Sequence, residues 1–187
     1  MKIIKKILLT VIPILTLLVA CSNEQTFEDF FHSKMELKNE YDEEVNYSYS
    51  LVYQEQNVVH PNDAIAIFTE NKLQGEQIFI AYFEQENGTW SWKQTRGAEW
   101  DTPVKWSSMH QVPYIYSGAI NDVSIEEVYA GKEKAKIVDV EGDKRFWYAI
   151  SNEKDVDVKK NMEDGTQEVI AEIDEEMLKG WKKKKNE

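Results

Sequence analysis

A single cysteine, Cys21, excludes an internal disulfide in this 187-residue chain, so the folded part must rest on a hydrophobic core and on hydrogen bonds. Glycine and proline are sparse, at eight and four, which excludes a collagen-like or low-complexity stalk. Histidine is scarcer still: His32, His60 and His110 stand far apart, without the paired spacing of a zinc protease. There is no Gly-x-Ser-x-Gly elbow and no phosphate loop. Basic residues are outnumbered 22 to 34, for a formal charge of −12, and this excludes nucleic acid, which needs a basic footprint. No motif with an enzymatic mechanism remains. The sequence therefore assigns no catalytic residue, no metal and no cofactor, and the expectation is a protein that is not an enzyme.

What is there begins with the first twenty residues. Lys2, Lys5 and Lys6 make a basic start, and residues 7–20 then run without a charge. That is the order of an export signal. A spanning helix is disfavoured, because fourteen residues cover only about 21 Å of a hydrocarbon core about 30 Å thick, and Pro13 interrupts it. The segment ends Leu18-Val19-Ala20-Cys21, which resembles the lipobox of bacterial lipoproteins. The resemblance implies a diacylglyceryl group on the Cys21 sulfur, a cut before Cys21, and a chain held by lipid at the outer face of the cell membrane. It also accounts for a lone cysteine in an exported chain. Two acyl chains hold stably where one holds reversibly.

Removing residues 1–20 leaves 19 basic against 34 acidic residues, so the lipid must do the holding and electrostatics cannot. Residues 21–26 form a polar tether, of which 22–26 reach about 17 Å when extended. Residues 27–181 then form one compact domain with a soft subdivision near Pro113, and 182–187 a basic tail, read as solvated in preference to a contact of Lys182–Lys185 with anionic headgroups. The half before Pro113 carries four of the six tryptophans and the half after it a regular run of strands, and the absence of an internal repeat suits one domain of ordinary size.

Within that domain, Thr26 caps a short amphipathic helix over 27–38 carrying Phe27, Phe30, Phe31, Met35 and Leu37 near helical spacing. Its opposite face holds Glu28, Asp29 and Glu36, so a core-packed helix is preferred over a membrane-surface one. Alternation at Val45, Tyr47, Tyr49, Leu51 and Tyr53 predicts a half-buried strand. Further strands are expected at 64–68 and 77–83, with an Asn87-Gly88 hairpin turning into Trp90 and Trp92. Strands also fit 114–120, 125–129, 135–140, 145–150, Val156 to Val158 and 167–173, and residues 174–181 fit a short C-terminal helix. The fold class is α+β, mostly antiparallel β, sandwich- or barrel-like.

Acidic clusters at 42–44, 139–143 and 155–157 lack the spacing of a twelve-residue calcium loop and read as solvated charge. Residues 96–113 form the segment to watch, since long loops in compact domains are usually functional or mobile. Arg96, Trp100, Trp106 and His110 are the candidate binding residues, because Trp and Arg anchor interfaces. The alternative is that these tryptophans plug the end of the core. The expected role is a protein or peptide interaction module at the cell surface. A small-ligand or glycan module with an aromatic pocket is the second choice, and a hydrolase of wall material trails.

Residues 116–122 (Tyr-Ser-Gly-Ala-Ile-Asn-Asp), Ile125, Val128, 135–138 and 145–150 (Arg-Phe-Trp-Tyr-Ala-Ile) together resemble a pattern in small uncharacterised lipoproteins of Gram-positive, spore-forming bacteria. The resemblance covers residues 114–150 and the lipobox. It implies no activity and no site residues.

Overall fold

The computed structural model describes residues 25–41, 47–73, 75–100 and 102–184. The export signal, the lipobox (Leu18, Val19, Ala20, Cys21) and most of the tether lie outside the described residues. No helix among those residues is long and apolar enough to cross a membrane.

Two helices and twelve strands are described: α1 (Phe27–Tyr41), β1 (Ser48–Gln56), β2 (Asp63–Lys72), β3 (Gly75–Glu86), β4 (Thr89–Ala98), β5 (Ser107–Ser108), β6 (Tyr114–Ile120), β7 (Ile125–Ala130), β8 (Glu133–Lys134), β9 (Lys136–Asp139), β10 (Arg145–Ser151), β11 (Val158–Met162), β12 (Gln167–Val169) and α2 (Glu175–Lys184). They make three antiparallel sheets. The first is a meander, β1-β2-β3-β4; the second runs β5-β6-β10-β9; the third runs β12-β11-β7-β8. The fold is α+β and mostly antiparallel β, a stack of a helix and three sheets.

Strand alternation explains the stacking. In β2, Ala64, Ala66 and Phe68 meet Phe27, Phe30, Phe31 and Met35 of α1. The intervening Ile65 and Ile67 join Ile78, Ile80 and Tyr82 against Ile115, Phe146 and Tyr148 of the second sheet. Side chains two apart share a face, so one sheet serves two cores. In β10 the same rule sends Trp147 and Ala149 the other way, onto Ile125, Val128, Ala130 and Val158 of the third sheet. Each large apolar side chain buried this way contributes about 1.5–3 kcal/mol.

Local signals set the ends of α1 and of the hairpin. The Thr26 hydroxyl oxygen accepts the Asp29 N–H at 3.1 Å, and Phe27 seats its ring 5.0 Å from both Phe83 and Trp90. Asn87 and Gly88 turn at φ 51° and 77°, the positive values that a two-residue turn of this hand needs.

Beside changes at strand ends, such as β11 beginning only at Val158, four expectations shift. The strand expected at 64–68 is β2, ten residues long, because Thr69 and Glu70 stay buried at its polar end and Lys38 of α1 donates to Glu70 Oε1. The segment 96–113 is shorter than expected as a loop: β4 continues to Ala98, and Ser107–Ser108 adds to the second sheet. The strand expected at 167–173 stops at Val169. Beyond it Val104 bridges Ile173, Lys105 N–H donates to Glu172 O at 2.8 Å and Asp174 N–H to Pro103 O at 2.6 Å. Finally, α2 runs to Lys184, so the lysine run expected as a tail begins as helix, in keeping with the good helix propensity of lysine.

Candidate functional site

Residues 99–100 and 102–104 lead from the last strand of the first sheet towards α2. Their backbone is tied at both ends. Asn121, just past β6, donates its amide N–H to Trp100 O at 2.6 Å, and the Val104–Ile173 bridge fixes the far end. Held this way, the crossing segment forms a wall shared by three clefts.

The first cleft, about 660 Å³, opens between the second and third sheets and the start of α2. Its floor is apolar, with Ile120, Ile125, Val128 and Trp147. Its rim carries six carboxylates, Glu99, Asp122, Glu168, Asp174, Glu175 and Glu176, against two ammonium groups, Lys105 and Lys160. The second, about 570 Å³, lies on the other side of Trp100 and is lined by Glu76, Gln77, Glu99, Asn121, Asp143 and Lys144. The third, about 440 Å³, is mostly apolar, with Phe79, Ala98, Pro103, Val104, Ile173, Leu178 and Trp181. Carboxylates outnumber ammonium groups in the first two, so the field there is negative and attracts cations.

Trp100 lines both acidic clefts, together with Glu99 and Asn121. Its indole N–H donates to Glu76 Oε1 at 3.1 Å, and Lys144 Nζ lies 5.0 Å from its ring centre. The Lys144 hydrogen bond, with help from the indole, holds the Glu76 carboxyl below its usual range against the effect of burial. Asp174 caps α2 by accepting the Met177 N–H at 2.9 Å, which lowers its pKa, with Lys105 adding to the effect. Asp122 is lowered by the Ser124 hydroxyl and N–H. These carboxylates therefore ionise more readily than usual, whereas a general acid needs the opposite shift.

The sequence-expected residues do not converge. Arg96, paired with Ile80 in the first sheet, donates from Nε to Ser108 O at 2.7 Å and from Nη1 to Thr95 O at 2.9 Å; it ties β4 to β5. Trp106 packs on the core between the second and third sheets and donates its indole N–H to Ile170 O at 2.9 Å. His110 is exposed in the turn before β6. Of the four, only Trp100 lines a cleft, and it lines the first two. Trp90 and Trp92 pack between α1 and the first sheet.

Sequence reasoning missed Glu76, Asn121, Lys144 and residues 168–176, which lie 21 to 76 positions from Trp100. Nothing local marks them. The one available signal was the amphipathic pattern of residues 173–181, whose Ile173, Leu178 and Trp181 become a cleft wall. Among the described residues no group of three or more His, Cys, Asp or Glu is placed to hold a metal ion.

Scanned against protein-family models, curated proteins and solved structures, the chain finds no match.

Proposed function

We propose that this protein is a lipid-anchored, extracytoplasmic interaction module that binds a protein or peptide segment through the clefts around Trp100 and has no enzymatic activity of its own. The anchor is carried by the Leu18-Val19-Ala20-Cys21 lipobox. The binding role is carried by one observation: Glu99 and Trp100 form a wall common to two adjoining acidic clefts, together too extended for one small molecule. An apolar floor under a carboxylate rim suits a partner that presents apolar side chains with lysine or arginine beside them. Glu76, Asp122 and Asp174 are engaged in ion pairing, turn-holding and capping, which supports recognition over hydrolysis.

Photo-crosslinking in the native membrane tests this reading. With benzoylphenylalanine at position 100, a discrete adduct is expected, and none is expected from position 132 in the turn between β7 and β8. The same products from both positions, or none from position 100, reject the module.

A further inference from the structure

We infer that α2 is a membrane-interface helix, laying its Met177–Leu178–Trp181 face on an anionic lipid surface. The inference deepens the lipid-anchored reading, because it supplies a second contact that would orient the clefts against the bilayer.

The starting point is where the exposed apolar residues gather. Ten large hydrophobic side chains are exposed among the described residues, and half of them, Val104, Val169, Ile173, Met177 and Trp181, lie on α2 or on the chain leading into and bridged to it. A clustered patch of this kind marks an interaction site, whereas single exposed apolar residues need no explanation. Trp181 is 55% exposed.

Helical geometry sorts the rest. Met177, Leu178 and Trp181 share one face at spacings of three and four. Lys179, Lys182 and Lys183 fall beside and behind it, all exposed. Glu175 and Glu176 occupy the first turn, where the positive end of the helix dipole favours them, so the lysines dominate the other end. A tryptophan on the apolar side with a lysine-rich polar side is the composition of helices that lie in a bilayer interface. Interfaces with proteins instead are depleted in lysine. The charges decide between the two: an acidic chain carries its local lysine cluster beside its exposed tryptophan, and anionic headgroups complement that cluster. At ten residues the helix spans about 15 Å, so it lies on the surface and does not cross.

The anchor can share the same bilayer. Phe27 sits on Phe83, and the cleft beside Leu178 and Trp181 has Phe79 in its wall. Four residues along β3 separate these places, about 14 Å, and a tether of six residues reaches about 20 Å.

The test uses the full chain in phosphatidylglycerol–phosphatidylcholine vesicles whose acyl chains carry bromine, a contact quencher of tryptophan fluorescence. Wild-type chain is expected to show a quenched component that Trp181→Phe removes. The double substitution Lys182→Glu with Lys183→Glu should weaken that component several-fold, and replacing phosphatidylglycerol by neutral lipid should do the same. Equal quenching in wild type and Trp181→Phe, with the chain still bound to the vesicles, overturns the inference and leaves the anchor standing. Trp181-dependent quenching by a chain whose Cys21 carries no lipid supports the helix contact independently of the anchor.

Discussion

The indole N–H of Trp100 and the ammonium of Lys144 donate to the same oxygen, Glu76 Oε1, at 3.1 and 2.7 Å. One carboxylate thereby fastens the crossing segment, the start of β3 and the turn before β10. Replacing Glu76 by Ala removes both bonds. We expect a stability loss of about 1–2 kcal/mol, kept modest because Lys144 is 41% exposed, and a red shift of the Trp100 emission. Denaturant titration followed by fluorescence, with Trp100→Phe as the blank, checks both.

Trp100 and Trp106 should separate cleanly. Trp106 is half-buried against the core between the second and third sheets and donates to Ile170 O, so Trp106→Ala should cost roughly 2–3 kcal/mol. Trp100→Ala should leave more of the stability intact and abolish partner capture. Thermal unfolding beside the crosslinking yield from benzoylphenylalanine at position 102, also in the first cleft wall, distinguishes the two outcomes.

Acid stability should depend on Glu55. Its Oε2 accepts the hydroxyls of Tyr148 and Tyr53, each at 2.6 Å, and Lys136 Nζ at 3.0 Å, linking β1 to the second sheet. These bonds, Tyr148 first, hold its pKa down at about 2 against an ordinary 4.5. A depressed carboxyl stabilises the fold fully above its unfolded pKa and loses that contribution as the pH falls from about 4.5 through about 2. The variant Glu55→Ala should therefore be less stable at neutral pH, by about 1–3 kcal/mol for the buried Tyr148 hydroxyl left unpaired. It should also show a flatter stability curve across that window. Urea unfolding at stepped pH measures both effects.

Gly118 sits opposite Trp147 on the neighbouring strand. A Cβ at this position would meet Trp147 Nε1 at 2.7 Å and crowd the backbone oxygen of Lys105. Gly118→Ala should destabilise by about 1–3 kcal/mol through overpacking. It should also disturb the apolar floor of the acidic cleft, where Trp147 lies. Calorimetry and crosslinking from position 100 read the two effects.

The parts of this fold that the sequence declared are those governed by short-range pattern. The Thr26–Asp29 cap, the Asn87-Gly88 turn and the run 145–150 each carry their signal within a few residues. β2 hid its length because Thr69 and Glu70 look like a strand end until Lys38, thirty-two residues earlier, is placed against Glu70. The site was legible only as a suspicion about residues 96–113. Trp100 and Trp106 differ by six positions and have the same side chain. What parts them is the crossing of 103–105 onto 172–174, a pairing that no local pattern encodes. Arg96 resembled an interface anchor and is a brace between strands, because the carbonyl it holds belongs to Ser108 in the next strand.

The most direct test of the whole account is the intact mass of the protein extracted from the membrane of the cell that makes it. The account predicts a chain that begins at Cys21 and carries the added mass of a diacylglyceryl group on that residue. A full-length chain with Met1 or its lysines still in place and a free Cys21 thiol would contradict it.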